Sequence, residues 1–162
     1  MLLIERDTHS LRAHPVVMPL GQILAEPLAT AKLGAEAKRL NLMTKFDPDV
    51  IVEVDPKLAM SAIDNVVQNA VKYTDEGDIE VTVDDHPTEV VVHVHDSGPG
   101  LSKMELKSVF EPFRRGSTSK PGTGLGLAIA RRAVGAQGGT IHAESEKGKG
   151  CHFWLTLPKP RH

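Results

Sequence analysis

At 162 residues, with 40% hydrophobic and 25% charged side chains, the chain has the size and balance of one globular domain. A formal net charge of -2 argues against a basic field for nucleic acid, and no apolar run reaches the ~20 residues of a membrane span. Only 4% of residues are aromatic, so the core falls to Val, Leu, Ile and Ala; the single cysteine, Cys151, forms no internal disulfide and suits a reducing compartment as a small buried residue.

Met1 to Ser10 is too charged for a signal peptide, and residues 1–14 read as the tail of a preceding helix or a linker. Arg12 to Met18 suits a short strand. Leu20, Ile23, Leu24, Leu28 and Ala31 recur at helical spacing, which predicts a helix to about Arg39, kinked or split at Pro27. Leu40 to Phe46 and Val50 to Val54 read as strands. Asp55–Pro56 is a helix start, with an N-cap acid and a proline at the first position, and this helix continues to about Tyr73. After a turn at Asp75–Glu76–Gly77, two alternating strands follow, joined at His86–Pro87: Ile79, Val81 and Val83 lie on one face of the first, and Val90, Val92 and Val94 on one face of the second. Ser102 and Glu105 form a capping box. Leu125, Ala128, Ile129, Ala133 and Ala136 predict a helical face stopped at Gly138–Gly139. Thr140 to Glu144 and Cys151 to Leu157 complete a mixed sheet of about five or more strands, with three main helices expected on one face.

Four short patterns carry the chemistry. On the helix from Pro56, the apolar face is Ala59, Ile63, Val66 and Ala70, and Asn65, Asn69 and Lys72 form a second stripe at i, i+4 and i+7. Amide oxygens suit Mg²⁺, which takes its remaining ligands from phosphate and water, and a lysine one turn on can reach a phosphate. Asp96 ends a strand and leads into Ser97–Gly98–Pro99–Gly100; a carboxylate there can accept from an adenine amino group and would repel a guanine carbonyl. Gly98 and Gly100 let the backbone turn beneath the base. Phe110 and Phe113 flank Glu111–Pro112 ahead of Arg114 and Arg115; the rings can anchor a mobile segment or pack into the core, and arginines reach phosphates. Arg114 to Pro121 reads as a flexible loop. Gly122, Gly124 and Gly126 precede a helix, where backbone N–H groups bind anions, but the run lacks the Gly-Lys-Ser/Thr ending of a Walker loop.

The order and spacing of these patterns resemble the catalytic, ATP-binding domain of sensor histidine kinases, from about Val50 to Pro158. The resemblance implies an α/β two-layer sandwich of the Bergerat type, shared with gyrase, mismatch-repair and chaperone ATPases, over residues 15–162. It implies that Asn69 holds Mg²⁺, that Lys72 and Tyr73 lie against phosphates and ribose, and that Asp96 reads adenine. Asn65 stands where gyrase and mismatch-repair ATPases carry a glutamate that activates water; an amide is no general base, which favours a kinase over a fast ATPase. The Phe110–Arg115 segment corresponds to an ATP lid, with Phe113 in it. Many members have an aromatic or small polar residue in place of Arg114, so the phosphate contact is carried to Arg115. Gly122, Thr123, Gly124, Leu125, Gly126 and Leu127 correspond to the phosphate-binding run.

The family's phosphate acceptor is a histidine on a helical dimerisation domain. His9–Ser10–Leu11–Arg12–Ala13–His14–Pro15 echoes its signature only loosely: the acid is absent, an extra residue precedes the proline, and the flanks are too short for a helical hairpin. The expectation is a cytoplasmic catalytic domain of a longer sensor, without membrane contact of its own. It would use Mg²⁺–ATP to phosphorylate a partner domain's histidine, and the phosphate would pass to a response regulator. The rivals are a serine kinase of the anti-sigma type on the same fold, and a nucleotide-sensing interaction module without transfer activity. His93, His95, His142, His152 and Trp154 suit the open face of the sheet; two histidines at i, i+2 can bind a metal, but a polar surface is the simpler reading and no metal is assigned there.

Overall fold

A computed structural model describes residues 12–111 and 126–161. Among these residues there are seven strands and four helices. Strand β1 (Val16–Pro19) pairs antiparallel with β3 (Ile51–Val54) as a two-stranded ribbon. It starts later than the predicted Arg12. Its partner offers four residues, and the His14 N–H is used elsewhere, by the Asp55 carboxylate at 2.9 Å.

Helix α1 (Leu20–Lys38) buries Leu20, Ile23, Leu24, Ala31 and Ala35. Of the expected kink or split at Pro27, the split does not occur: the helix runs through it. Proline inside a helix costs about 3 kcal/mol. Here Pro27 is buried, and its carbonyl accepts a hydrogen bond from Gln68 Nε2 of the neighbouring helix at 3.3 Å, so interhelical packing outweighs the lost bond. The helix stops where Arg39 turns left-handed (φ 61°) and the Leu40 N–H returns to the Ala35 carbonyl at 2.8 Å.

Helix α2 (Pro56–Tyr73) starts as read: the Asp55 side chain accepts from the Leu58 N–H at 3.2 Å and Pro56 takes the first turn. Ala59, Ile63, Val66 and Ala70 are buried as predicted, with Ala62, Val67 and Val71 beside them. Its last carbonyls are capped from α1, where Lys38 Nζ donates to Val71 O at 2.7 Å and to Lys72 O at 3.1 Å.

The main sheet has the order β2-β4-β5-β7-β6. Strand β2 (Asn41–Lys45) joins β4 (Asp78–Asp85) in parallel; β4, β5 (Glu89–Asp96), β7 (Cys151–Pro158) and β6 (Ile141–Ser145) pair antiparallel. Ile79, Val81, Val90, Val92, Val94 and Phe153 are buried, facing the helical layer. Helix α3 (Lys103–Lys107) carries the predicted capping box between Ser102 and Glu105.

Helix α4 (Gly126–Gly135) packs on α2 but buries Ala130, Ala133 and Val134, an i, i+3, i+4 stripe. Of the predicted face, Ala133 is buried, but Ile129 is 43% exposed, and Ala128 and Ala136 are only half-buried. Small residues at the contact let α4 sit close against α2. The helix ends as expected near Gly138, which is left-handed (φ 78°), with the Gly139 N–H on the Val134 carbonyl. No helix among the described residues is long and apolar enough to cross a membrane.

Candidate nucleotide site

The C-terminal end of α2 meets the end of β5 at Gly98. A Cβ there would stand 3.0 Å from Asp96 Oδ1, 3.1 Å from the Tyr73 carbonyl and 3.3 Å from Thr74 Oγ1. A side chain there would have to push these groups back by a few tenths of an ångström, so glycine lets the three share one wall without strain. Asp96 is half-buried, and its Oδ1 accepts from the Gly98 N–H at 2.9 Å and the Cys151 N–H at 3.2 Å. Its Oδ2 has no partner among the described residues and remains an open acceptor. Burial pushes the Asp96 carboxyl above its usual range; the Gly98 and Cys151 N–H groups and His95 pull the other way without cancelling it.

Thr74, the residue after α2, was not singled out in the sequence. Its hydroxyl is buried and without a hydrogen-bond partner among the described residues. A buried unsatisfied polar group costs about 1–3 kcal/mol, so an oxygen orphaned beside Asp96 marks a place where a ligand or water belongs. Nothing in the sequence distinguishes it from any other helix-ending threonine, because its burial depends on a separate loop.

Gly100 has a different task from Gly98. It is left-handed (φ 74°), and a Cβ on it would strike the carbonyl of Glu146 in the β6–β7 turn. It therefore locks the loop after β5 onto that turn. Cys151, at the start of β7, is half-buried; burial raises its thiol pKa, nearby Asp96 and Glu105 raise it further, and a 3.2 Å hydrogen bond with Ser145 opposes them.

The amide stripe lies on the same helix. Asn65 Nδ2 donates to the Ser61 carbonyl at 2.8 Å, and a Cβ on Gly126 would come within 3.0 Å of Asn65 Oδ1. The first residue of α4 is thus seated on the stripe, which brings the start of that helix to α2. Asn69 is half-buried and has no hydrogen-bond partner among the described residues, so its amide is uncommitted. Lys72 Nζ lies 5.2 Å from the centre of the Tyr73 ring. Leu127 packs against the core. Phe110 meets Phe153 edge to face, with centroids 6.1 Å apart, so the core reading of that ring holds. Phe113, Arg115, Gly122, Thr123, Gly124 and Leu125 lie outside the described residues.

The face of the sheet away from the helices carries stacked rings. His95 and His152 are cross-strand partners with centroids 3.8 Å apart, Trp154 lies 4.5 Å from His152, and His142 lies 5.2 Å from Trp154. Burial lowers the His152 pKa, and the neighbouring His95 and His93 lower it further against the pull of Glu144.

Residues 54–161 match the family described as histidine kinase-, DNA gyrase B- and HSP90-like ATPase. The sensor protein SrrB of Staphylococcus aureus is 30% identical over 159 residues, covering 95% of this chain and 27% of that protein. The chain thus spans about a quarter of the length of the curated relatives it matches. Among solved structures, the mycobacterial sensor histidine kinase MprB aligns with a TM-score of 0.79 at 25% identity, covering 90% of this chain and 100% of that one. The catalytic domain of histidine kinase ThkA aligns at 0.77 with 28% identity, covering 90% and 96%. Full-length ShkA in complex with AMPPNP aligns at 0.78 with 26% identity, covering 93% and 32%. A mostly antiparallel five-stranded sheet under one helical layer is the fold these structures share, and the family match covers residues 54–161: the chain belongs to the histidine kinase-, DNA gyrase B- and HSP90-like ATPase family, as an ATP-binding domain of the sensor histidine kinase type.

Proposed function

We propose that the chain binds ATP with Mg²⁺ and presents the γ-phosphate to a histidine on a separate dimerisation domain, from which a response regulator is served. The observation that carries this reading is the shared wall at Gly98, where Asp96 Oδ1, the Tyr73 carbonyl and the orphaned Thr74 hydroxyl converge. An adenine amino group can donate to Asp96 Oδ2, and Thr74 Oγ1 gains a partner at the same edge. From there the amide stripe leads along α2 to Gly126 at the start of α4, whose N–H groups are suited to phosphate. Lys72 and Tyr73 are the groups for phosphate and ribose.

Asn69 fits Mg²⁺: one uncommitted carboxamide is a sparse protein donor set, which suits an ion that keeps water and phosphate oxygens as its other ligands. Bound there, the ion would neutralise charge on the phosphates. Phe113 and Arg115 are assigned to the lid, and Gly122, Thr123, Gly124 and Leu125 to phosphate contact with Gly126 and Leu127. In the transfer, an imidazole nitrogen of the acceptor attacks the γ-phosphorus, the bond to the β-phosphate oxygen breaks, ADP leaves, and the imidazole releases its proton. Asn65 cannot deprotonate water, and its Nδ2 is occupied on Ser61, so hydrolysis without an acceptor is slow.

The test is incubation with γ-labelled ATP, with and without the native dimerisation domain, following labelled protein and free phosphate. The expected result is acid-labile, base-stable label on the acceptor domain alone and little free phosphate. Efficient labelling of the chain itself would place an acceptor within it. Rapid phosphate release would make it an ATPase, and ATP binding with neither outcome would make it a nucleotide sensor. Calorimetry supplies the metal arm: Asn69→Ala weakens ATP binding with Mg²⁺ present far more than without it.

A further inference from the structure

Four of the chain's eight histidines lie on the open face of the main sheet, away from the nucleotide wall. His95 on β5 is opposite His152 on β7, and His93 is two residues back along β5. One nitrogen from each of His93, His95 and His152 can be chosen so that all three lie within 4.8 Å of one another. His93 Nδ1 and His152 Nε2 are 2.8 Å apart. The outer nitrogens of the same two rings meet carboxylates: His93 Nε2 is 2.9 Å from Asp84 Oδ2, and His152 Nδ1 is 3.7 Å from Glu144 Oε1.

We propose that His93, His95 and His152 form a binding site for one borderline divalent transition-metal ion, with Zn²⁺ as the chemical type. Metal-bound imidazoles commonly hold a carboxylate on the nitrogen opposite the metal, which fixes the tautomer and strengthens the donor. Asp84 and Glu144 are placed for that role on two of the three rings. An all-imidazole set suits Zn²⁺, Cu²⁺ or Ni²⁺ rather than Mg²⁺ or Ca²⁺. Three nitrogens around a tetrahedral Zn²⁺ stand about 3.4 Å apart. The His93–His152 pair opens slightly to reach this, and His95, which is exposed, swings in. A hydrogen bond accounts for the 2.8 Å approach of His93 and His152 on its own; the third ring within reach and a carboxylate behind each of those two rings are what a metal site adds. The site is independent of the nucleotide reading.

Metal-stripped protein is titrated with Zn²⁺ in competition with a chromophoric chelator. One ion per chain is expected. His95→Gln, at an exposed position, weakens binding by more than about tenfold, and Asp84→Asn by about tenfold. Long-range ¹H–¹⁵N spectra should show the metal shift on Nδ1 of His93 and on Nε2 of His152, opposite nitrogens of the two rings. Circular dichroism checks that each variant is folded. Zn²⁺ affinity unchanged in the triple variant His93→Gln, His95→Gln and His152→Gln would place the ion on other groups, such as His14, His86 or Cys151, and overturn the proposal. So would the absence of stoichiometric binding, or ring nitrogens that do not respond.

Discussion

The two oxygens of Asp96 do different work. Oδ1 is held by two backbone N–H groups and joins β5 to β7, while Oδ2 is open and, in the proposed function, meets the base. Asp96→Asn separates the roles. Its amide oxygen can keep the two N–H bonds, which turns the NH₂ group toward the adenine amine, donor against donor. ATP affinity should fall by at least about tenfold, since a hydrogen bond to a charged group contributes roughly 1.5–3 kcal/mol. GTP, which offers a carbonyl at that place, should lose nothing or gain, so calorimetry with both nucleotides reads the change in preference. Burial raises the Asp96 pKa, so the folded protein holds this proton more tightly than the unfolded chain. The ionised form is therefore a stability cost at neutral pH that is relieved as pH falls through the raised value. The neutral Asp96→Asn variant should unfold at an unchanged or higher temperature while binding ATP less well, which a merely structural Asp96 would not do. The placing of Asp96 at a strand end and of Asn65, Asn69 and Lys72 on one helix was legible because strand ends and helical spacing show in one dimension. Thr74 was not, because its burial comes from a loop twenty-odd residues further along the chain.

Three elements meet at Asp55. Its carboxylate caps α2 and accepts from His14, while its own N–H donates to Gln137 Oε1 at 2.8 Å beyond the end of α4. Asp55→Ala should cost about 1–2 kcal/mol from the cap alone, measured by urea denaturation at pH 7. Burial raises the Asp55 pKa, but the N–H groups of His14, Leu58 and Lys57 outweigh it, and the net shift is downward. The stability it contributes is therefore present above the unfolded value of about 3.9 and is lost as pH falls through the lower folded value. The gap between Asp55→Ala and the starting protein should narrow in acid accordingly. The Asp55–Pro56 start and the Ser102–Glu105 capping box were legible because caps are local. The continuity of α1 through Pro27 was not, because Gln68 on another helix supports it. The buried stripe of α4 was read only at Ala133: alanines give no strong preference for either face, and the contact with α2 decides.

Across the whole molecule, the Asp96 carboxylate proposed for the base sits at the end of the central strand pair, so nucleotide binding should be felt as global stability. At a Mg²⁺–ATP concentration a hundred times its dissociation constant, linkage adds about 2.7 kcal/mol. For a domain of this size that raises the melting temperature by several degrees, on the order of 2–4 °C per kcal/mol; Asn69→Ala should lose most of the Mg²⁺-dependent part in a thermal scan. The layer arrangement was legible because strand alternation and helical periodicity both expose one apolar side. The strand order was not, because it depends on pairings between distant segments, such as Asp96 with Cys151. That pairing has a consequence for how the chain can vary. Asp96 and Cys151 pin the two ends of a long excursion that contains residues 112–125. Closing a flexible excursion depends on its length only logarithmically, and doubling it costs about 0.6 kcal/mol. An insertion inside it is therefore cheap only where it leaves α4 on α2 and β6 paired with β7, since a change of length within either element breaks contacts that closure entropy does not replace.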